Sequence, residues 1–254
     1  MSEEQKQEHK FPSEIIDLPS EGKLYPKDHP LASGKIELKY MTAKEEDILT
    51  SQNLIKKGLV LDKLLNSLIL TDGVDIDDMV MGDKNAVMVA SRILAYGPEY
   101  ETDITNPSTG DSFRHTFNLA DCPFKKLPEG VKGNSFELEL PISKRKVTYK
   151  ILTGKEENEI TKELKQMSKL GSSVSPELTT RLRYSIISVD GETDKSIITN
   201  FSQNMLARDS IFLRTQMQEH SPDIDLTQEI EIQGESVKVA IPMTVQFFWP
   251  GVKT

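Results

Sequence analysis

The chain has a single cysteine, Cys122, in 254 residues. One thiol forms no intrachain disulfide, so no covalent staple is expected, and a reducing compartment suits the chain. Beside Pro123, Cys122 reads as a small core filler rather than a nucleophile. Histidine is scarce too. His9, His29, His115 and His220 are the only four, and none has a His, Cys or carboxylate neighbour at metal-ligand spacing. Asp75-Ile-Asp77-Asp78 lacks the full spacing and bidentate Glu of a calcium loop. No glycine-rich phosphate loop, nucleophile elbow or Ser/His/Asp arrangement is recognisable. No apolar run approaches the ~18 residues of a membrane helix. The first ten residues, MSEEQKQEHK, lack the apolar stretch of a signal peptide and read as a solvated tail. Positive charge is also in deficit. A net charge of -9 repels phosphate backbones, and the short clusters Lys125-Lys126 and Lys144-Arg145-Lys146 read as solvated turn charge.

What the chain does have is repetition. Lys35 to Glu46 (KIELKYMTAKEE) and Lys146 to Glu157 (KVTYKILTGKEE) agree at six of twelve positions. Other matches follow in order: Leu18-Pro-Ser-Glu-Gly22 with Leu127-Pro-Glu-Gly130, Asn66–Gly73 with Tyr184–Gly191, and Gly110–Arg114 with Gly234–Lys238. An ordered series of this kind indicates duplication. In each copy an alternating strand runs into Thr-x-Lys-Glu-Glu. Thr42 with Glu45, and Thr153 with Glu156, have the spacing of a helix capping box. Leu61, Leu64, Leu65 and Leu68 line one helix face as far as Asp72-Gly73, with Leu178, Leu182 and Ile186 in the matching role. A third helix is expected over 84–96, with a counterpart over 203–219, and each copy closes in a β-hairpin.

Two apolar stretches lie outside this scheme. Residues 11–31 carry four prolines and no helical period, yet Ile15, Ile16, Leu18, Leu24 and Tyr25 call for burial. They read as an extended arm lying on a surface, the chain's own or a neighbour's. The end of the chain groups Phe247, Phe248 and the only tryptophan, Trp249, an apolar density that implies docking on its own module or in a partner's groove. The expected fold is therefore α+β: an internally duplicated strand–three-helix–β-hairpin module preceded by an extended N-terminal arm. The expected divisions are a tail (1–10), a first module (11–122) and a second (123–254).

LPSEGKLYPKDHPL, then MTAKEEDIL, the Leu-rich helix, Ala95-Tyr96-Gly97 and the terminal FFWP together resemble the baseplate family of T-even-type bacteriophages, whose members are hub subunits or hub assembly proteins. The resemblance spans Phe11 to Pro250, and the order of its short motifs carries it. It implies a non-enzymatic structural or assembly protein of a contractile-tail baseplate hub, acting by protein–protein binding. The host cytoplasm during assembly, and the virion baseplate, are its implied locations. Other hub and tail proteins are the implied partners, gripped by Leu18, Leu24 and Tyr25 and by Phe247, Phe248 and Trp249. No cofactor, nucleic acid, membrane or small-molecule substrate is expected. A transient tail-assembly chaperone absent from mature virions is the alternative, followed by an enzyme whose site assembles only in space. A degenerate zinc-ribbon nucleic-acid binder is disfavoured by the acidic charge and missing ligands.

Relatives in that family carry Cys-Pro-x-Cys-Gly knuckles in hairpin turns. Here Asn106 and Thr109 stand at the cysteine positions, and the turn at Gln233-Gly234 has no cysteine. The zinc knuckle is read as lost, with the turn kept by Pro107 and Gly110. Elemental analysis of the purified protein is expected to show no zinc; about one zinc per chain would overturn this.

Overall fold

A computed structural model describes residues 12–106, 109–169, 175–232, 235–243 and 247–248. The tail 1–10, the Gln233-Gly234 turn and Trp249 lie outside the described residues. The architecture is α+β, with small antiparallel sheets and, among the described residues, eight α-helices. In chain order, β1 is Ser13–Asp17 and β2 is Lys35–Lys39. Four helices follow: α1 Ala43–Thr50, α2 Gln52–Lys57, α3 Val60–Leu68 and α4 Met81–Tyr96. A hairpin closes this half, β3 Glu99–Thr105 with β4 Ser112–Asn118. The second half opens with β5 Phe124–Lys125, β6 Phe136–Glu139 and β7 Lys146–Tyr149. It continues through α5 Gly154–Lys169, α6 Glu177–Ser185, β8 Ile186–Val189, α7 Lys195–Gln203 and α8 Ala207–Glu219. It ends in β9 Asp223–Ile224 and a hairpin, β10 Thr227–Ile232 with β11 Glu235–Ala240.

The helix starts are where the local chemistry is clearest. The Glu45 carboxylate accepts from the Thr42 amide (3.0 Å) and hydroxyl (2.6 Å) and pairs with Lys39 at 2.8 Å. In the second half Glu156 accepts from the Thr153 amide at 2.8 Å and hydroxyl at 3.2 Å, and pairs with Lys150. Both helices thus begin by satisfying the free N–H at their caps. The strand before each helix is also treated alike. β1 pairs antiparallel with β2 as β6 pairs with β7, and on the other side Leu38 bridges Ile69 as Tyr149 pairs with Ile186.

Several expectations change. Each half holds four helices rather than three. The α1–α2 run breaks at Ser51, whose ψ of 103° is extended, and α7 starts where the Asp194 side chain accepts from Ser196 N at 2.8 Å and Ile197 N at 3.2 Å. The Leu-rich helix stops at Leu68, because Ile69 leaves it to bridge Leu38. Leu140-Pro141, rather than the expected Leu127-Pro128, has contacts like those of Leu18-Pro19. Both Leu-Pro pairs end a strand and are followed by an amide that donates to an aspartate near the start of a long helix: Ser20 N to Asp83 at 2.9 Å, Ile142 N to Asp209 at 2.8 Å.

The N-terminal segment is not an arm. Residues 13–17 are a sheet strand, and 18–34 curl into turns whose Leu18, Leu24, Tyr25 and Leu31 enter the core. Two glycines allow this close approach. A Cβ on Gly22 (φ 76°) would lie 2.5 Å from Ala32 O, and one on Gly34 (φ 72°) would lie 2.7 Å from Glu21 C. Both need a positive φ that other residues adopt with difficulty.

The division at 122/123 falls inside a continuous core. The largest cluster joins Leu64, Tyr100, Ile104 and Phe117 of the first half to Ile230, Val239, Ile241, Phe247 and Phe248 of the second. The Tyr100 hydroxyl donates to Pro242 O at 2.9 Å, Val80 bridges Thr153, and Gly154 N donates to Met79 O at 2.9 Å. Only the cluster of Leu140, Val147, Tyr149, Leu182, Ile186, Val189, Ile198 and Leu213 is confined to one half.

The seam is tightest at Gly82, where a Cβ would sit 1.8 Å from Pro222 O. Overpacking of this kind typically costs ~1–3 kcal/mol, occasionally more, and here the obstructing atom is backbone. Gly82→Ala is expected to lose about 3 kcal/mol or more in denaturant unfolding, whereas Gly130→Ala, with nothing within 4 Å of its Cβ position, pays only for its positive φ. Equal losses at the two sites would show that the seam is not close-packed.

Candidate functional site

The residues expected to hold partners are mostly committed to the chain's own core. Leu18, Leu24, Tyr25, Phe247 and Phe248 are all buried. Phe247 packs edge-on against Tyr100 with ring centroids 5.1 Å apart, and Phe248 packs edge-on against Phe247 at 5.2 Å. Apolar burial favours the fold at Leu18, Leu24, Phe247 and Phe248. Trp249 lies outside the described residues.

Tyr25 belongs instead to a buried polar network. Its hydroxyl donates to Asp83 Oδ2 at 2.7 Å and accepts from Val80 N at 3.1 Å. Asp83 also accepts from the Ser20 amide at 2.9 Å and from the Ser20 hydroxyl at 2.6 Å. No cation pairs with Asp83 among the described residues. Burial pushes its carboxyl up; the bonds from Ser20 and Tyr25 pull back without cancelling that push, and Asp223 adds to it. Burial likewise pushes the Tyr25 phenol up, reinforced by Asp83. Asp209 holds the equivalent place in α8 and behaves oppositely. Burial raises its carboxyl, but the amides of Ile142 (2.8 Å) and Ser143 (3.0 Å) overcome that and leave it below the usual carboxylate range. These networks tie helix starts to strand ends.

The other candidates for chemistry have structural partners. His29 Nδ1 accepts from Leu31 N at 3.1 Å, and its ring stacks on Tyr25 at 5.0 Å. His115 packs edge-on against Phe117. His220 Nδ1 lies 3.0 Å from the Tyr149 hydroxyl and 2.8 Å from Gln216 O. Burial pushes the Tyr149 phenol up to about 12. Cys122 is buried, and burial raises its thiol, the reverse of what a nucleophile needs. Arg92 is buried, and among the described residues it pairs with no carboxylate. Its guanidinium donates to Gly97 O (3.0 Å) and Glu99 O (3.2 Å) and lies over Tyr96 and Tyr100, tying the end of α4 to β3. Among the described residues no three His, Cys, Asp or Glu side chains gather as a metal site, and no helix is long and apolar enough to cross a membrane.

Several surface cavities remain among the described residues. One of about 420 Å³ lies among Ile197, Phe201, Met205, Leu206, Ser143 and Arg145. It is bordered by α7, the start of α8 and the β6–β7 turn, and Ile197 and Leu206 are exposed beside it. A second, about 440 Å³, mixes Lys150, Arg183 and Lys195 with Glu156 and Glu159, so its charges largely oppose one another. A third, about 340 Å³, lies between the two hairpins. Such surfaces suit protein or peptide contact better than a small molecule, which needs a more enclosed apolar pocket. A separate apolar exposure was legible in principle: Ile211, Phe212 and Leu213 are consecutive in α8, and a helix cannot turn three successive residues to one face. Leu213 takes the core, leaving Ile211 and Phe212 exposed.

Comparison with family models, characterised proteins and solved structures returned no match to this chain.

Asp83→Ala would strip the acceptor from the Ser20 amide, the Ser20 hydroxyl and the Tyr25 hydroxyl. At ~1–3 kcal/mol per stranded buried donor, a loss of about 3 kcal/mol or more is expected in denaturant unfolding. The charge has its own signature. A carboxyl raised in the folded state binds its proton more tightly there, so its contribution to stability falls as pH rises from the unfolded value of ~4 through the folded one. Asp83→Asn removes that slope. The stability difference between Asp83→Asn and the parent should therefore shift toward the variant as pH increases over this window; a pH-independent difference would refute a raised carboxyl.

Proposed function

We propose that the protein is a non-enzymatic component of a contractile-tail bacteriophage baseplate hub, acting by binding other hub and tail proteins. The observation that carries the proposal is the ordered series of motifs from Phe11 to Pro250 that resembles the T-even-type baseplate family. The recurring contacts support the internal duplication that this reading includes: two Thr/Glu helix starts with a Lys partner, and two Leu-Pro strand ends gripped by Asp83 and Asp209. On this reading the halves are fused into one rigid body by the core that joins their hairpins. Binding surfaces then belong on its outside, at hairpin edges and around the α7–α8 groove, rather than at the buried Leu18, Leu24, Tyr25, Phe247 and Phe248. The host cytoplasm during infection is the proposed place of action, with the virion baseplate as the destination.

The exposed Ile197, Leu206, Ile211 and Phe212 favour a second reading, a tail-assembly chaperone that holds apolar segments and then leaves. Quantitative mass spectrometry of purified virions against infected-cell lysate separates the two. A fixed ratio to the other hub proteins in virions is the expected result. Abundance in lysate with none in virions would replace the structural role with the chaperone role, and absence from both tail intermediates and virions would remove the baseplate assignment.

A further inference from the structure

The two halves meet through a contact that has a direction. The extended pair Met79-Val80, leading into α4, takes the start of α5. Gly154 N donates to Met79 O at 2.9 Å, Val80 bridges Thr153, and Asn158 Nδ2 donates to Asp77 Oδ1 at 3.0 Å. Met79 and Val80 are buried there. Each side of this contact has a counterpart in the other half. Met205-Leu206 leads into α8 as Met79-Val80 leads into α4. Leu206 (φ -62°, ψ 139°) and Val80 (φ -63°, ψ 147°) share one backbone shape, and each stands three residues before the aspartate that grips a Leu-Pro strand end. Thr42-Ala43 opens α1 as Thr153-Gly154 opens α5, with the same Thr/Glu cap and Lys partner.

These counterparts face solvent. Leu206 is 50% exposed, and Ala43, Asp47 and Gln203 are exposed as well. A two-fold arrangement would bury both pairs of surfaces. Here one pair is buried and the other is exposed, so the contact runs head to tail and leaves one of its two surfaces open at each end of the chain's fold. We propose that a second copy of this chain seats its Thr42-Ala43 helix start on Met205-Leu206.

The residues around the open surfaces match one another. Gln203 holds the position of Asp77, and Asp47 that of Asn158. Donor and acceptor have changed places, so an amide still meets a carboxylate. Met205 and Leu206 also line the α7–α8 groove beside the exposed Ile197, so docking removes apolar surface from water. The whole seam is not repeated between copies. Arg208 stands where Gly82 approaches Pro222, and Ala43 where Gly154 approaches Asp77, a position at which a Cβ would lie 3.1 Å from Asp77 Cα. Two side chains in place of two glycines hold the copies further apart than the halves, which makes this joint the weaker one. Because each docked copy still carries one open surface, association continues into a ring or a chain. The inference goes beyond the proposed function and does not need the baseplate assignment.

Sedimentation equilibrium of the full chain in ~0.15 M salt should give a mean mass that rises with concentration up to ~1 mM. Leu206→Glu and Ala43→Glu, both at exposed positions, should each weaken self-association at least about tenfold. Mixed in equal amounts, the two variants should form a dimer and nothing larger, because each keeps the surface that the other has lost. A second pair of changes guards against misfolding. Gln203→Glu sets a carboxylate against Asp47 and should weaken association about tenfold; adding Asp47→Asn to the same chain rebuilds the carboxylate–amide pairing of Asp77 with Asn158 and should restore it. A parent that stays monomeric over this range would overturn the proposal. So would a mixture of folded variants that stays monomeric, single variants that associate as the parent does, or no recovery with Asp47→Asn. A monomeric chain found at a fixed ratio in virions removes only this inference; a self-associating chain absent from tail intermediates and virions removes only the baseplate role.

Discussion

A carboxylate near the start of a long helix holds the end of a strand in each half of this chain, and the arrangement of the remaining elements depends on those two grips. Asp83 in α4 binds the amide and hydroxyl of Ser20, just after Leu18-Pro19; Asp209 in α8 binds the amides of Ile142 and Ser143, just after Leu140-Pro141. Proline has no N–H to give, so the first donors available beyond each strand are those the aspartates take. Once made, these bonds set the angle between strand pair and helix, and hence where each helix delivers the hairpin that follows it. The grips are not electrically equivalent. Asp209 is stabilised as an anion by two backbone dipoles, while Asp83 sits deeper, shares its donors with Tyr25 and lies near Asp223. The protein tolerates a strained carboxylate in one half and a comfortable one in the other.

Local chemistry was legible in the sequence; partnership across distance was not. Thr42 with Glu45 and Thr153 with Glu156 announce helix starts because the capping residues lie three apart. The alternation of Tyr100, Thr102 and Ile104 announces a strand for a similar reason. By contrast Asp83 and Ser20 are 63 residues apart, and nothing near Asp83 distinguishes it from a solvated helix carboxylate. Residues 18–31 read equally well as an arm on a surface or a folded turn, since apolar side chains between prolines look the same in both; the close approach of Gly22 and Gly34 to the opposing backbone decides the matter. The Phe247-Phe248 pair reads in the sequence as a docking element. Its receptor turned out to be the chain's own Tyr100, on a hairpin that the division at 122/123 had assigned to the other module.

For function, the consequence is a shift of attention from side chains to backbone. Leu18, Leu24, Tyr25, Phe247 and Phe248, near the two ends of the chain, are absorbed by the fold. Among the described residues the outside instead offers the outer strands of two hairpins and a groove at α7–α8.

That joint core has a bearing on how the chain is made. Phe117 and Tyr100 are packed by Phe247, which is synthesised 130 residues after Phe117. At ~5–20 residues per second, roughly 10 s separate their emergence from the ribosome. During that interval the first hairpin is complete in sequence and can meet Leu49, Leu64, Leu68 and Val89, but not the second-half residues that complete its cluster. The finished protein covers that part of the hairpin with Phe247 and its neighbours, yet every nascent copy passes through a stage in which it is uncovered.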